Sequence, residues 1–168
     1  DGDDEPRVTD FGLAKQLDQQ DSPTLSGQAL GTPGFAAPEQ LSPRLGAVDR
    51  RSDVYGLGAL LYHLMTGRPP FLAGSLSDTV EQVMKADPAS PRTLNQSVPR
   101  DLETICLKCR AKEPLGRYAT GREVGEEIGR WIQGEPITAR PTPWWERLVL
   151  WARRRPALAG LAVSVLLL

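Results

Sequence analysis

The sequence predicts a mainly α-helical domain built around one buried central helix. Three observations lead there. Residues 52–67, Ser-Asp-Val-Tyr-Gly-Leu-Gly-Ala-Leu-Leu-Tyr-His-Leu-Met-Thr-Gly, carry one ionised group, Asp53, and spread Val54, Leu57, Leu60, Leu61, Leu64 and Met65 around most of a helical barrel. A helix that is apolar all round is buried, and this one is too short to cross a bilayer. Later stretches repeat apolar residues at helical spacing. Only residues 6–9, Pro-Arg-Val-Thr, read as a strand.

The length of 168 residues fits one domain with an appendage. Hydrophobic residues make up 40% and charged residues 24%, as in ordinary globular proteins. A net charge of −1 implies no bulk attraction to nucleic acid, so no nucleic-acid partner is expected. Cys106 and Cys109 are the two cysteines, which is no disulfide framework and fits a reducing compartment. The sequence starts without Met and stops inside an apolar run. Both ends therefore read as cut, and the chain as a piece truncated on each side.

Taken in order, an acidic turn at residues 1–5 leads through the strand into Asp10-Phe11-Gly12. Residues 16–28 are polar, without periodicity, and read as an exposed loop. In Gly31-Thr32-Pro33-Gly34-Phe35-Ala36-Ala37-Pro38-Glu39, Pro38 suits the first position of a short helix. Ser52 is read as the cap of the central helix and Gly67 as its left-handed stop. Asp53 falls in the first turn, where unpaired amides favour a negative charge, and is expected to hold a neighbouring backbone segment. Ser77 is read as the cap of a helix with Val80, Val83 and Met84 on one face. Pro99 starts a helix with Leu102, Ile105, Cys106 and Cys109 at helical spacing. Thr120-Gly121-Arg122-Glu123 is a capping box, and the helix behind it carries Val124, Ile128, Trp131 and Ile132 on one side until Gly134 stops it.

Residues 135–143 are Pro-rich and read as a linker. Trp144, Trp145, Leu148 and Trp151 then alternate with Glu146, Arg147 and the run Arg153, Arg154, Arg155 in an amphipathic segment. Residues 156–168 carry no charge. Aromatic residues and arginines just before an apolar run are interface and positive-inside signals, so the run reads as the start of a membrane span of about 20 residues. The expected organisation is one partial domain over 1–134, a linker and basic juxtamembrane helix over 135–155, and a truncated transmembrane helix over 156–168.

One ordered set of motifs goes further. It comprises Thr9-Asp10-Phe11-Gly12-Leu13-Ala14-Lys15, residues 31–39, Asp53-Val54-Tyr55-Gly56-Leu57-Gly58 and Gly116-Arg117-Tyr118. Together these resemble the C-terminal lobe of a eukaryotic-like serine/threonine protein kinase, over about residues 6–133. The basic segment and apolar tail make the chain similar to the membrane-attached bacterial form. The resemblance implies ATP and Mg²⁺ as cofactors of the intact protein, protein Ser/Thr hydroxyls as substrates, and a single-pass protein with its kinase domain on the cytoplasmic side.

Residue by residue, the resemblance makes Asp10 the carboxylate that holds Mg²⁺ on the nucleotide. Phe11 and Gly12 complete that motif, Phe11 packing beneath the nucleotide site. Ser22, Thr24 and Ser26 become candidate phosphosites of the activation loop. Thr32 shapes the substrate pocket. Glu39 is expected to pair with Arg117, and Asp53 to hold the backbone of the catalytic loop. The family's Gly-rich loop, strand lysine and His-Arg-Asp loop all lie upstream of the position Asp10 occupies. They are missing from this sequence, so no catalytic residue is assigned and the piece alone is expected to be inactive, its absent N-lobe being a partner in the same parent chain. The alternative reading is a pseudokinase, a non-catalytic scaffold at the membrane.

Three features receive plainer readings. Cys106-x-x-Cys109 has no second Cys pair and no nearby His, so core packing is expected rather than a metal. His63 is expected to be a hydrogen-bonded structural residue of the buried helix. The Arg153, Arg154 and Arg155 run beside an apolar tail is expected to contact lipid headgroups.

Overall fold

Residues 33–140 form a set of packed helices, most of them short. The structure is a computed structural model and describes residues 33–140. All of these belong to one compact unit, the second of two into which the chain divides at Leu30–Gly31. The strand at 6–9, residues Asp10, Phe11, Gly12, Ser22, Thr24, Ser26 and Thr32, and everything expected of 141–168 lie outside the described residues. Among those described, all regular structure is helical, and no helix is long and apolar enough to cross a membrane.

Six α-helices follow in order: α1 (Pro38–Leu41), α2 (Arg50–Thr66), α3 (Leu76–Lys85), α4 (Pro91–Leu94), α5 (Arg100–Cys109) and α6 (Gly121–Ile132). Proline opens α1 and α4, where its missing N–H costs nothing. The cap of α2 is Asp49, whose side chain accepts the Arg51 N–H at 2.8 Å, so Ser52 is not the cap. Gly67 ends α2 at φ 74°, and its N–H bonds the His63 carbonyl at 2.7 Å, as expected of a left-handed stop. Ser75, two residues before the expected Ser77, caps α3 by accepting the Asp78 N–H. Pro99 precedes α5. Thr120 accepts the Glu123 N–H, but Glu123 reaches back to the Ala119 N–H, so the box closes one residue early. Gly134, at φ 68°, follows α6.

α2 is central but not buried all round. Its buried residues are Ser52, Val54, Tyr55, Gly58, Ala59 and Tyr62, while Leu57, Leu60 and Leu64 are exposed, Leu64 by 73%. The inward stripe is made of small residues and tyrosines, and the leucines face out. Gly58 explains the arrangement: a Cβ there would lie 2.5 Å from Cys109 Cβ and 2.9 Å from Arg110 Cγ. α5 therefore packs directly on the α2 backbone, with the Cys106 thiol donating to the Gly58 carbonyl at 3.4 Å. α6 closes the other side, and Val54, Ile105, Cys109, Tyr118, Val124 and Ile137 form the core between the three helices. Ile132, expected on the inner face of α6, is 71% exposed. The opposite end of α2 is tied by side chains: Asn95 Nδ2 donates to the Met65 carbonyl and the Tyr62 hydroxyl to the Ala89 carbonyl.

The stretch read as a linker is, as far as Arg140, part of this core. Ile137 is 3% exposed, and Arg140 bonds Asp101 at the start of α5 at 3.0 Å. A strap of residues 135–140 therefore runs back across the helices.

Candidate functional site

α1 brings Glu39 to face the start of α2. Pro38 opens the helix, and Gln40 folds back to accept the Ala37 N–H at 2.8 Å, which fixes the turn. The Glu39 carboxylate points inward and is 2% exposed. Arg117 approaches from the far side on the turn Pro114–Gly116. Its Nη1 meets Glu39 Oε1 at 2.6 Å and its Nη2 meets Oε2 at 2.9 Å, two parallel bonds between charged groups. Nε donates to the Ala111 carbonyl at 2.7 Å, Nη1 also to Arg51 at 3.0 Å, and Nη2 also to Lys112 at 2.9 Å. A guanidinium has five N–H groups, and each has an acceptor. The structure thus brings together the two residues expected to pair, 78 positions apart.

Ser52 joins them. Its hydroxyl donates to Glu39 Oε1 at 2.7 Å, inside the buried site. Burial alone would push the Glu39 carboxyl up, but the bonds from Arg117 and Ser52 outweigh it and hold its pKa below the usual 4.5. The pair clamps the first turn of α2 through both the Ser52 hydroxyl and the Arg51 carbonyl. Asp53 follows directly on that turn. It is exposed, and its carboxylate has no partner among the described residues.

A second buried cation sits beside the first. Arg110 is 3% exposed and lies 4.6 Å from the Tyr55 ring centre and 5.1 Å from that of Phe71. Its Nη2 donates to the Tyr55 hydroxyl at 3.0 Å, while Nε and Nη1 have no hydrogen-bond partner. Burial pulls its pKa down. Lys112, over the Phe71 ring and donating to the Val83 carbonyl, is brought down to about 8, first by burial and then by Arg110.

Cys106 and Cys109 are both buried free thiols pushed up to about 12 by burial, and among the described residues no group of three or more His, Cys, Asp or Glu can hold a metal ion. His63 departs from expectation: its Nδ1 is buried with no hydrogen-bond partner, and its ring meets Phe35 edge-on at 5.9 Å. Sequence reasoning missed Ser52 as a partner of Glu39, Arg110 as a buried cation and Glu127 as a buried acid. A signal existed for Ser52, since a hydroxyl can donate to a carboxylate as well as accept from an amide. A charged residue in a helix or at its end gives no such signal.

The chain matches the protein kinase domain family over residues 1–125. It is 37% identical over 133 residues to the serine/threonine-protein kinase PknB of Mycobacterium leprae, covering 79% of this chain and 21% of that protein. PknB of Mycobacterium tuberculosis is 38% identical over 134 residues, with the same coverage. The serine/threonine-protein kinase PrkC of Bacillus subtilis is 37% identical over 122 residues, 73% of this chain and 18% of that protein. The chain thus spans about a fifth of the length of the curated relatives it matches. Among solved structures, the twitchin kinase region of C. elegans shares the fold at a TM-score of 0.53 and 23% identity, over 69% of this chain and 18% of that one. With three quarters of its length matched by one family and relatives 37% and 38% identical to it, the chain belongs to the protein kinase domain family.

Proposed function

We propose that this chain is the C-terminal helical part of a membrane-attached serine/threonine protein kinase, which transfers the γ-phosphate of ATP to Ser and Thr hydroxyls of proteins. The observation that supports it is the buried Glu39–Arg117 pair, which anchors α1 to the first turn of α2. Phosphoryl transfer asks a protein chiefly for positioning and for charge stabilisation, and a fully bonded guanidinium is a means of positioning.

Asp10 would hold Mg²⁺, whose hard character suits a carboxylate oxygen. The ion supplies charge neutralisation on the phosphates when bound. Phe11 and Gly12 would set the geometry of that carboxylate, Thr32 would shape the acceptor pocket, and Ser22, Thr24 and Ser26 are candidates for activating phosphorylation. Asp53, exposed at the start of α2, would hold a catalytic-loop backbone supplied by the parent chain. Residues 144–168 would tie the kinase to the cytoplasmic face of a membrane.

The test is phosphate transfer from labelled ATP by the full-length parent, with Mg²⁺ and a general protein substrate, followed by phosphoamino-acid analysis. Phosphoserine and phosphothreonine are expected, and none from the 168-residue piece alone. No transfer, together with no rise in Tm on adding Mg²⁺-ATP, would make the parent a non-catalytic scaffold.

A further inference from the structure

Within the strap of residues 135–140, Thr138 and Ala139 are held by a single carboxylate. Glu127 lies inside α6 and is 3% exposed. Its Oε1 accepts the Thr138 N–H at 2.9 Å and the Thr138 hydroxyl at 2.8 Å. Its Oε2 accepts the Ala139 N–H at 2.9 Å and the Tyr118 hydroxyl at 3.3 Å. These bonds hold the carboxyl below its usual range although burial pushes the other way. Ile137, the neighbour of Thr138, fills the core, whereas Thr138 itself is exposed.

We infer that Thr138 is a phosphoacceptor for the kinase activity proposed above, and that a phosphate there releases the strap. The source of the phosphoryl group rests on that proposal; the effect of the phosphate does not. In the step, the bond between the γ-phosphorus and the ADP oxygen breaks and a phosphorus–oxygen bond to Thr138 Oγ1 forms. ADP leaves, and the hydroxyl proton passes to solvent. The product has lost the proton that Glu127 Oε1 accepts and carries about −1.5 to −2 charges beside a buried carboxylate. Like charges at that separation cannot both stay ionised in a buried site, and the exposed member moves. Arg130 is the cation facing Glu127, with its Nε at 3.8 Å, and its Nη1 also lies 4.0 Å from Glu135, so it is already shared between two acids. Moving Thr138 draws off the two amides bound to Glu127 and pulls on Ile137. The release is confined to the stretch between Ile137 and the Arg140–Asp101 pair.

The experiment uses the full-length protein in two arms. In one, it is incubated with Mg²⁺-ATP, total phosphate is measured and sites are mapped by mass spectrometry. In the other, phosphothreonine is placed at position 138 during translation, and hydrogen exchange is followed at Thr138 and Ala139. Phosphate at Thr138 in the first arm is expected, and exchange at both amides faster by about a hundredfold in the second, since bonds to a charged group are lost. Thr138→Val, which keeps both backbone bonds, is expected to stay within about tenfold of wild type. Phosphate elsewhere but not on Thr138 overturns the acceptor, and unchanged exchange with phosphothreonine overturns the release. A total absence of phosphate fails the proposed activity, and the acceptor role with it, while the second arm still decides the release.

Discussion

Replacing Arg117 by leucine should destabilise the domain strongly and reverse how Glu39 responds to acid. The substitution leaves a carboxylate that is 2% exposed with one side-chain donor, Ser52. Removing one member of a buried ion pair costs about 3–5 kcal/mol, a large share of the roughly 5–15 kcal/mol that holds a typical domain together. The carbonyls of Arg51, Ala111 and Lys112 lose a donor at the same time, which places the cost at the upper end. Hydrogen exchange at the amides of Tyr55 and Ile105, in the buried faces of α2 and α5, reads this as a local opening free energy.

The sign of the pH effect is the sharper part. In the native protein the Glu39 pKa is held below its ordinary 4.5, so its stabilisation is present above that value and is lost as pH falls through the native pKa. Without Arg117 the dominant influence left is burial, which raises the pKa. The carboxylate is then a penalty above its raised pKa, and acid relieves the penalty. The variant should therefore become more stable on moving from pH 7 toward 5, where the parent does not change through this group. A double replacement of Glu39 and Arg117 by leucine should cost much less than the two single changes added together. A loss below about 1 kcal/mol for Arg117→Leu, or additivity within about 0.5 kcal/mol, would refute the reasoning.

Other perturbations follow from the same contacts. Gly58→Ala should cost about 1–3 kcal/mol by overpacking, because its Cβ would meet Cys109 at 2.5 Å and α5 must move; urea unfolding measures it. Gly67→Ala should cost about 1–2 kcal/mol through its left-handed φ of 74° alone, since nothing crowds the position. Cys106 and Cys109, with thiols pushed up to about 12, should resist iodoacetamide at pH 8 in the native protein and react once urea unfolds it. Arg110→Met should be neutral, or stabilising by about 1–4 kcal/mol, since an apolar side chain of similar volume takes the place of a buried charge; its Tm should equal or exceed that of the parent.

The sequence carried the helices and their ends better than their faces. Gly67, Pro38, Pro99 and Thr120 act locally, through backbone angle, a missing N–H or a hydroxyl one turn away, and such devices can be read from a few residues. The faces of α2 could not be read that way. Leu57, Leu60 and Leu64 look like core by composition, yet Gly58 and Ala59 face α5 because the two backbones come close, and closeness is a property of the pair. Ser52 and Asp49 both suit a cap. The choice of Asp49 follows from Glu39, thirteen positions earlier, which takes the Ser52 hydroxyl for itself. Glu127 defeated pattern reading most fully, since a glutamate flanked by Glu126 and Ile128 reads as surface until residues 138 and 139 return to cover it.

Arg110 and Arg117 lie seven positions apart, are equally buried, and should nevertheless respond to substitution with opposite signs. Burial costs both guanidiniums the same hydration. Arg117 recovers it through a bidentate carboxylate and three carbonyls that saturate its donors. Arg110 recovers it through one hydroxyl and the faces of Tyr55 and Phe71, and a cation over an aromatic face gains about 2 kcal/mol when desolvated. That offsets less of the penalty than a carboxylate does. The difference lies in what each removal leaves behind: without Arg117 a carboxylate stays buried and charged, whereas without Arg110 only the neutral Tyr55 hydroxyl loses a partner. Burial of a charge therefore says little about its worth to the fold, and the acceptors it leaves stranded say most of it.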